Sequence, residues 1–569
     1  MLTFLRVDRR NSLERLRQFA LGVSFLAIAL LFCGPAIFHA GWPNNHDYLA
    51  TFERVECFRR SFAAGDWMPT WTPYPYAGFG SPFPLVYHRL FNSIGGFLAV
   101  CLGSSILAVK VLIPALLLCG GLGSYRLSRE LGVSRSLSWP SGVLLMAAPY
   151  TLFDWLVRGA VAEFTAAMLL PWWLAALLGF VRGERRWVRL ALLTALLFHA
   201  HLLVCFFALP LALAVFLSAF LGRALKLSDL LSDWRLITAA GLLLCVCVLP
   251  FALAMGRVAP FLNTQAFTGL ASPSKSMSPL TQYFVDDAFA WGEQWAAVTV
   301  ELNRFVVVTT LAVAFAAACL QVHLRRASTR ILVGALAGYL FLQLPASNWI
   351  YAHAPGAAYI QFPWRLNAFM TPILIVLLAI AGEACARMSK RAWRCAHLAS
   401  YACLLLSLQF PARALQLEYG RFSPEELETH LASPSGEVSG NEYLPKGVKS
   451  PLPPRVLGKR RRDGRREPNP LMENLPPATP LVSGDCARTW PSDFSGKTLE
   501  LVANQATECE LTIRQFISPV LSLELENATL QEGPLDGGYR ILLHAGRSRV
   551  ALHQKSVARL AIEFFSKHR

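Results

Sequence analysis

The feature that most constrains this chain is a succession of apolar blocks, each near the ~20 residues a helix needs to cross a bilayer. Short arginine-rich segments separate them. The blocks are 19–40, 106–124, 137–151, 163–181, the double-length 190–221, 236–255, 305–321, 331–346, 366–386 and 398–415. Of the 569 residues, 54% are hydrophobic and only 16% charged, against about a quarter charged in soluble domains. That balance excludes a soluble enzyme, a disordered chain and a small disulfide framework. The net charge of +17 calls for no nucleic acid, because basic loops between spans are what the positive-inside rule expects.

Arg6, Arg9, Arg10, Arg15 and Arg17 precede the first block. That block is too long for a signal-peptide core and has no convincing cleavage site, so it reads as a first span with residues 1–18 in the cytoplasm. The double block must be two short helices, since basic loops flank both its ends; the total is then eleven crossings within residues 19–415. Parity places the basic loops 125–136, 182–189, 223–235, 323–330 and 387–397 on one side, the cytoplasmic one. The opposite loops carry few basic residues for their length, with Arg158 in one, Lys275 in another and Arg365 at the edge of a third. Residues 87–101 are apolar enough to span, but a crossing there would turn every later arginine cluster outward. They read instead as an interfacial helix within a first outer loop of 41–105.

The same parity puts the tail outside. Residues 416–482 form a Pro-rich, charged linker. Its basic run Lys459, Arg460, Arg461 and Arg462 reads as solvated chain or as a contact to anionic lipid. Residues 483–569 form a small β-rich extracytoplasmic domain, with strand-like alternation at 499–503, 509–516, 520–526 and 539–544. The thirteen cysteines show no metal-site spacing, and Cys245 and Cys247 read as packing within a span. Cys486 and Cys509 are the tail's two cysteines and candidates for a disulfide in an oxidising compartment.

Chemistry-bearing residues gather in the outer loops. The first loop reads Gly41, Trp42, Pro43, Asn44, Asn45, His46, Asp47, followed by a helical stretch to Phe62. On a helical wheel Tyr48, Phe52, Val55, Phe58 and Phe62 make one apolar face suited to lying on a membrane, with Asp47, Thr51 and Arg54 within a ~60° arc at its edge. Asp47 can face a lipid-borne substrate there, or it can simply cap the helix. Beyond it, Pro73, Pro75, Gly78, Gly80, Pro82 and Pro84 alternate with Tyr74, Tyr76, Phe79, Phe83 and Tyr87. That stretch is either a cradle for a sugar or isoprenoid or a packed loop. In the second outer loop, Arg158 precedes Glu163 by five residues, with Asp154 nearby; charges at the edge of hydrocarbon are costly unless paired or functional. Arg365, after Gln361, Phe362, Pro363 and Trp364, can bind phosphate through its planar fork or snorkel as an anchor. His199 and His201 stand near the turn of the double block and diverge on a helix, which disfavours a shared metal.

Three sets of residues carry a resemblance. The first is the early outer acid followed by Gly65, Asp66, Trp67, Met68, Pro69, Thr70, Trp71 and by the segment 78–87 just described. The second is Arg158, Gly159, Ala160, Val161, Ala162, Glu163. The third is Gln361 to Arg365 together with Glu442, Tyr443, Leu444, Pro445. Over residues 20–445 the chain resembles the bacterial membrane family labelled "6-pyruvoyl-tetrahydropterin synthase-related". Nothing in the sequence supplies the zinc-histidine site that pterin chemistry needs. The layout is in turn similar to the type-C glycosyltransferases (GT-C), polytopic enzymes that use polyprenyl-phosphate sugars. The resemblance implies an all-α polytopic fold in the bacterial inner membrane. Its partners would be a lipid-linked sugar donor and a lipid, glycan or protein acceptor. Asp47 would be the general base, Glu163 or else Asp154 the second acid, and Lys110 and Arg365 would offset phosphate charge. His46, Arg54, His88 and Arg158 complete the substrate-binding candidates. His46 beside Asp47 replaces a paired acidic motif, which leaves a divalent metal open as a cofactor. A carboxylate near the attacking hydroxyl and a cation near the leaving phosphate suit an inverting transfer. A transporter or flippase of lipid-linked sugars is the alternative, and a non-catalytic envelope scaffold the third.

Overall fold

The computed structural model describes residues 2–262 except 40, 44, 46 and 76–78; 273–275 and 277; 326–387 except 355 and 361; scattered positions from 390 to 398; and 419–420, 481–486, 497–531 and 538–566. The helices that matter for the site are, in chain order, α1 (Leu2–Phe38), α2 (Tyr48–Ala63), α3 (Leu90–Leu102), α4 (Ser105–Glu130), α5 (Arg135–Ala147), α6 (Val161–Gly179), α7 (Trp187–Ala200), α8 (Leu202–Leu221), α9 (Trp234–Val258), α10 (Ala327–Phe341), α11 (Asn367–Ala386) and α12 (Val557–Ser566). Among the described residues six are long and apolar enough to cross a bilayer: α1, α4, α6, α8, α9 and α11. A seventh crossing results if α10 is joined to the segment Pro345–His353, from which it is bent by 87°. The protein is a mostly helical, multi-pass membrane protein.

Eleven crossings are therefore not found among the described residues. The expected span at 305–321, and nearly all of 398–415, lie outside them. The block 137–151 is not one helix. α5 stops at Ala147 because Ala148 takes an extended backbone (ψ 139°) before Pro149, whose ring disfavours a helical residue ahead of it. The block 331–346 ends as helix at Phe341, short of its expected limit, and turns away. The double block is two helices, α7 and α8, broken at His201.

The chain divides into two compact units. The first comprises Met1–Tyr48, Lys110–Leu244 and Ala271–Arg421. Small residues set its helix spacing, as is usual where lipid supplies no hydrophobic drive between helices. A Cβ on Gly121 would meet Met146 Sδ at 2.6 Å, and one on Gly142 would strike the fully buried Phe25 ring. α6 is enclosed on nearly every side, and α11 packs beside it with Phe369, Met370 and Ile373 buried. A two-residue ladder joins β1 (Trp42–Pro43) to β2 (Tyr419–Gly420) in antiparallel register.

The second unit comprises Leu49–Val109, Cys245–Leu270 and Phe422–Arg569. Its sheets are antiparallel. One has the order β3 (Val482–Gly484), β5 (Cys509–Ile513), β8 (Tyr539–Leu543), β7 (Ala528–Gln531). The other has β9 (Gly546–Gln554) between β4 (Thr498–Gln505) and β6 (Leu521–Glu526). Cys486 and Cys509 are bonded. The alternating pattern located β4, β5, β6 and β8. It missed β9, whose arginines and histidine interrupt the apolar alternation although Val550, Ala551 and Leu552 are buried.

The outer loop corrects a second expectation. Phe52, Val55 and Phe58 on α2 are fully buried in protein rather than lying on a membrane. Phe58 sits against Gly96 of α3, where a Cβ would come within 2.6 Å of it. α3 itself has 13 residues, too short to cross a bilayer. The described residues of the Gly/Pro stretch are packed against the tail. Phe516 N donates to Phe79 O at 2.7 Å, and the Trp71 indole donates to Gln515 Oε1 at 2.7 Å. The Gln515 amide in turn donates to Pro73 O at 3.3 Å. Gly80 holds φ +79° with Trp71 and Gln515 where a Cβ would stand, which only glycine tolerates.

Gln515→Ala strands the fully buried Trp71 N–H, at a cost of about 1–3 kcal/mol. Limited proteolysis of the purified protein is expected to release the tail several-fold faster than in the parent. Equal rates would show that Gln515 does not hold the loop.

Candidate functional site

One wide, π-type turn, Phe153–Arg158, follows the break at Ala148, and such turns often carry function. It aims Asp154 and Arg158 inward. Gly159 then reverses the chain at φ +71°, and α6 begins with Glu163 in its first turn. The spacing of five between Arg158 and Glu163 thus becomes a contact across a turn rather than along a helix.

Glu163 is the hub. Its Oε2 accepts from Arg158 Nη1 at 3.0 Å and lies 3.5 Å from Arg365 Nε and 4.0 Å from His201 Nε2. The Tyr150 hydroxyl donates to Oε1 and also reaches Arg365 O at 3.3 Å. Arg158 Nη1 donates at 2.6 Å to Asp154 Oδ1, and its guanidinium lies 4.6 Å from the centroid of the Trp364 ring. Asp154 and Glu163 are 0% and 1% exposed and Arg158 5%, whereas 18% of the Arg365 side chain is open. Two carboxyls thus face two guanidiniums in a closed space. Burial, then the Glu163 charge, push the Asp154 carboxyl well above the ordinary range. Its Oδ2 has no hydrogen-bond partner among the described residues.

His201 caps α8, its Nδ1 accepting from Val204 N at 3.3 Å. An accepting Nδ1 leaves the ring proton on Nε2, the atom turned toward Glu163. Burial, followed by the charges of Arg365 and Arg158, holds the ring well below its ordinary value, in the neutral form. Sequence reasoning had set His201 aside and missed Tyr150. The signal for His201 was a polar residue at the break of a mostly apolar double block; for Tyr150 there was none.

Asp47 stands beside this cluster through its backbone. Its N–H donates to Arg158 O at 3.0 Å, and the Asn45 amide donates to Trp155 O at 3.0 Å. Gly159 has the Asn45 side chain where a Cβ would be, and Asp47 C at 3.2 Å. Asp47 itself is partly exposed. The remaining candidates make other contacts. Lys110 Nζ donates to His39 O at 2.6 Å, so it helps terminate α1. Arg54 lies over the Tyr87 ring at 4.0 Å. His88 is half-buried beside that ring, and its carbonyl accepts from Asn92. His46 lies outside the described residues. Among the described residues no three of His, Cys, Asp and Glu gather as a metal-holding group.

No protein-family model and no curated protein matches the chain. Among solved structures it is similar to the arabinofuranosyltransferase AftD from Mycobacteria, with 18% identity and a TM-score of 0.46 over 71% of this chain and 27% of that one. It is also similar to ArnT from Cupriavidus metallidurans bound to undecaprenyl phosphate, with 15% identity and a TM-score of 0.42 over 72% and 69% of the two chains. The chain spans about a quarter of the length of AftD.

Arg158→Ala would leave two buried carboxyls without their shared cation, a loss of about 3–5 kcal/mol. The expected outcome is a large drop in thermal stability in detergent. Arg365→Ala, at the partly open edge, should cost much less. Equal losses in the two variants would contradict this division of roles.

Proposed function

We propose that this protein is a membrane glycosyltransferase that moves a sugar from a lipid-phosphate carrier to an acceptor at the outer face of the bacterial inner membrane. The observation that supports the reading is the hydrogen bond from Asp47 N to Arg158 O. It ties the backbone of a partly exposed acid to the residue whose side chain enters the buried ion cluster, in which Arg365 is the partly open cation. The motif resemblance to the pterin-synthase-related family and its GT-C layout leads to the same chemistry.

The roles follow from exposure. The Asp47 carboxylate accepts the proton of the acceptor hydroxyl as its oxygen bonds to the sugar's anomeric carbon. The bond from that carbon to the carrier phosphate breaks, and the phosphate leaves with the electron pair. Arg365, within reach of the surface, offsets the charge that develops there. Glu163 and Asp154 are too enclosed to meet a hydroxyl. They are positioning residues that hold Arg158 and Arg365, which moves the second acid of the sequence reading out of direct chemistry. The N-terminus and basic loops lie in the cytoplasm and the β-rich tail outside, as the arginine pattern directs.

Removing a general base typically costs 10²–10⁴-fold in rate. Asp47→Asn, with insertion and folding verified, is expected to lower product glycan by a factor in that range and to let the lipid-linked donor accumulate. Unchanged glycans would remove Asp47 from the mechanism. Donor retained on the cytoplasmic leaflet would instead identify a flippase.

A further inference from the structure

A second polar region lies in the first unit, at the arginine-rich ends of α1, α4 and α5, away from the Glu163 cluster. Its origin is the packing of α1. Phe25 is pinned where Gly121 and Gly142 admit its ring, and the Trp139 indole donates to Ser24 Oγ at 3.2 Å just beside it. On the N-terminal side of that crossing a cleft of about 1210 Å³ is lined by residues of α1, α4, α5 and α6. Leu21, Leu122 and Trp172 line its depth, while Arg17, Arg126, Arg129 and Arg135 stand around it with only Glu14 and Glu130 as acids.

Those acids are heavily shared. Glu130 meets Arg126 at 2.9 Å, Arg186 at 2.9 Å and Arg182 at 3.1 Å. Glu14 is taken by Arg135 at 2.7 Å and lies 3.9 Å from Arg17. The cleft is therefore net positive at its mouth and apolar inside. Arg17 and Arg126 keep 67% and 51% of their side chains exposed. Its volume exceeds that of an ordinary small-molecule pocket, and its apolar walls are helices of membrane-spanning length. An occupant must bring an anionic head and a hydrocarbon body, and basic pockets between helices on the cytoplasmic side suit such lipids.

We propose that this cleft binds an anionic glycerophospholipid, its phosphate between Arg17 and Arg126 and its acyl chains on Leu21, Leu122 and Trp172. The site stands apart from the transferase reading and does not depend on it. Native mass spectrometry of the full chain, titrated with dioleoylphosphatidylglycerol or dioleoylphosphatidylcholine, tests it. The expected result is retention of the anionic lipid and not of the zwitterionic one. The double variant Arg17→Gln with Arg126→Gln should bind it about thirty-fold more weakly, from roughly 1 kcal/mol per arginine near a lipid surface. Leu21→Trp fills the cleft without touching charge and should weaken binding as well. Equal retention of the two lipids overturns the proposal, as does full binding by Leu21→Trp, which would mean surface charge alone. Displacement of the lipid by millimolar inorganic phosphate would mark a soluble-anion site and overturns it too. Should a variant fail to fold, the comparison of the two lipids on the parent chain still decides.

Discussion

One carboxylate organises the first unit. Glu163 opens α6, and its two oxygens are shared among Arg158, Arg365, Tyr150 and His201. The partners come from the short helical turn Pro149–Leu152 after α5, the π-type turn, the break between α7 and α8, and the residues just ahead of α11. A buried ion cluster is weak as a net source of stability, because desolvation offsets most of the attraction. Its effect is selective. Any arrangement of these segments that separates the charges strands one of them inside the protein, so the cluster fixes how four segments meet.

That explains which parts of the chain could be read directly. Apolar blocks announce spans because lipid demands them, and α1, α4, α6, α8, α9 and α11 lie where the blocks are. The limits of the blocks were harder to read. Pro149 interrupts one of them for a local reason that a hydropathy average hides. The apolar face of α2 was read correctly as a face, with Phe52, Val55, Phe58 and Phe62 aligned and all buried. Its covering was read wrongly. Periodicity says that a stripe is covered but not by what, and Gly96 of α3 was the missing clue to a protein partner.

The site was legible in its charges and not in its geometry. Arg158, Glu163, Asp154 and Arg365 stood out because charges at the edge of hydrocarbon are costly unless paired or functional. Spacing alone could not show that a π-type turn and a glycine at φ +71° fold Arg158 back onto Glu163. Nor could it separate the exposed members from the enclosed ones. Lys110, Arg54 and His88 were named as substrate-binding candidates, yet Lys110 contacts a helix-end carbonyl and Arg54 and His88 both contact the Tyr87 ring.

Exposure then divides the two arginines that a sequence treats alike. Arg158 has both acids within 3.0 Å, a tryptophan ring beside it and almost no accessible surface. A cation so placed has no charge left to offer a ligand. Arg365 stands 3.5 Å from a carboxylate already engaged by Arg158, its Nη1 donates to Ile360 O at 3.4 Å, and part of its side chain is open. An arriving phosphate could compete with Glu163 for Arg365 without stranding the acid, because Arg158, Tyr150 and His201 would still hold it. The cluster is in this sense asymmetric by construction: the enclosed half preserves the fold while the open half can exchange its partner. That asymmetry is the physical reason for seeking chemistry at Arg365 and at Asp47 on the rim, and not at the more conspicuous buried pair.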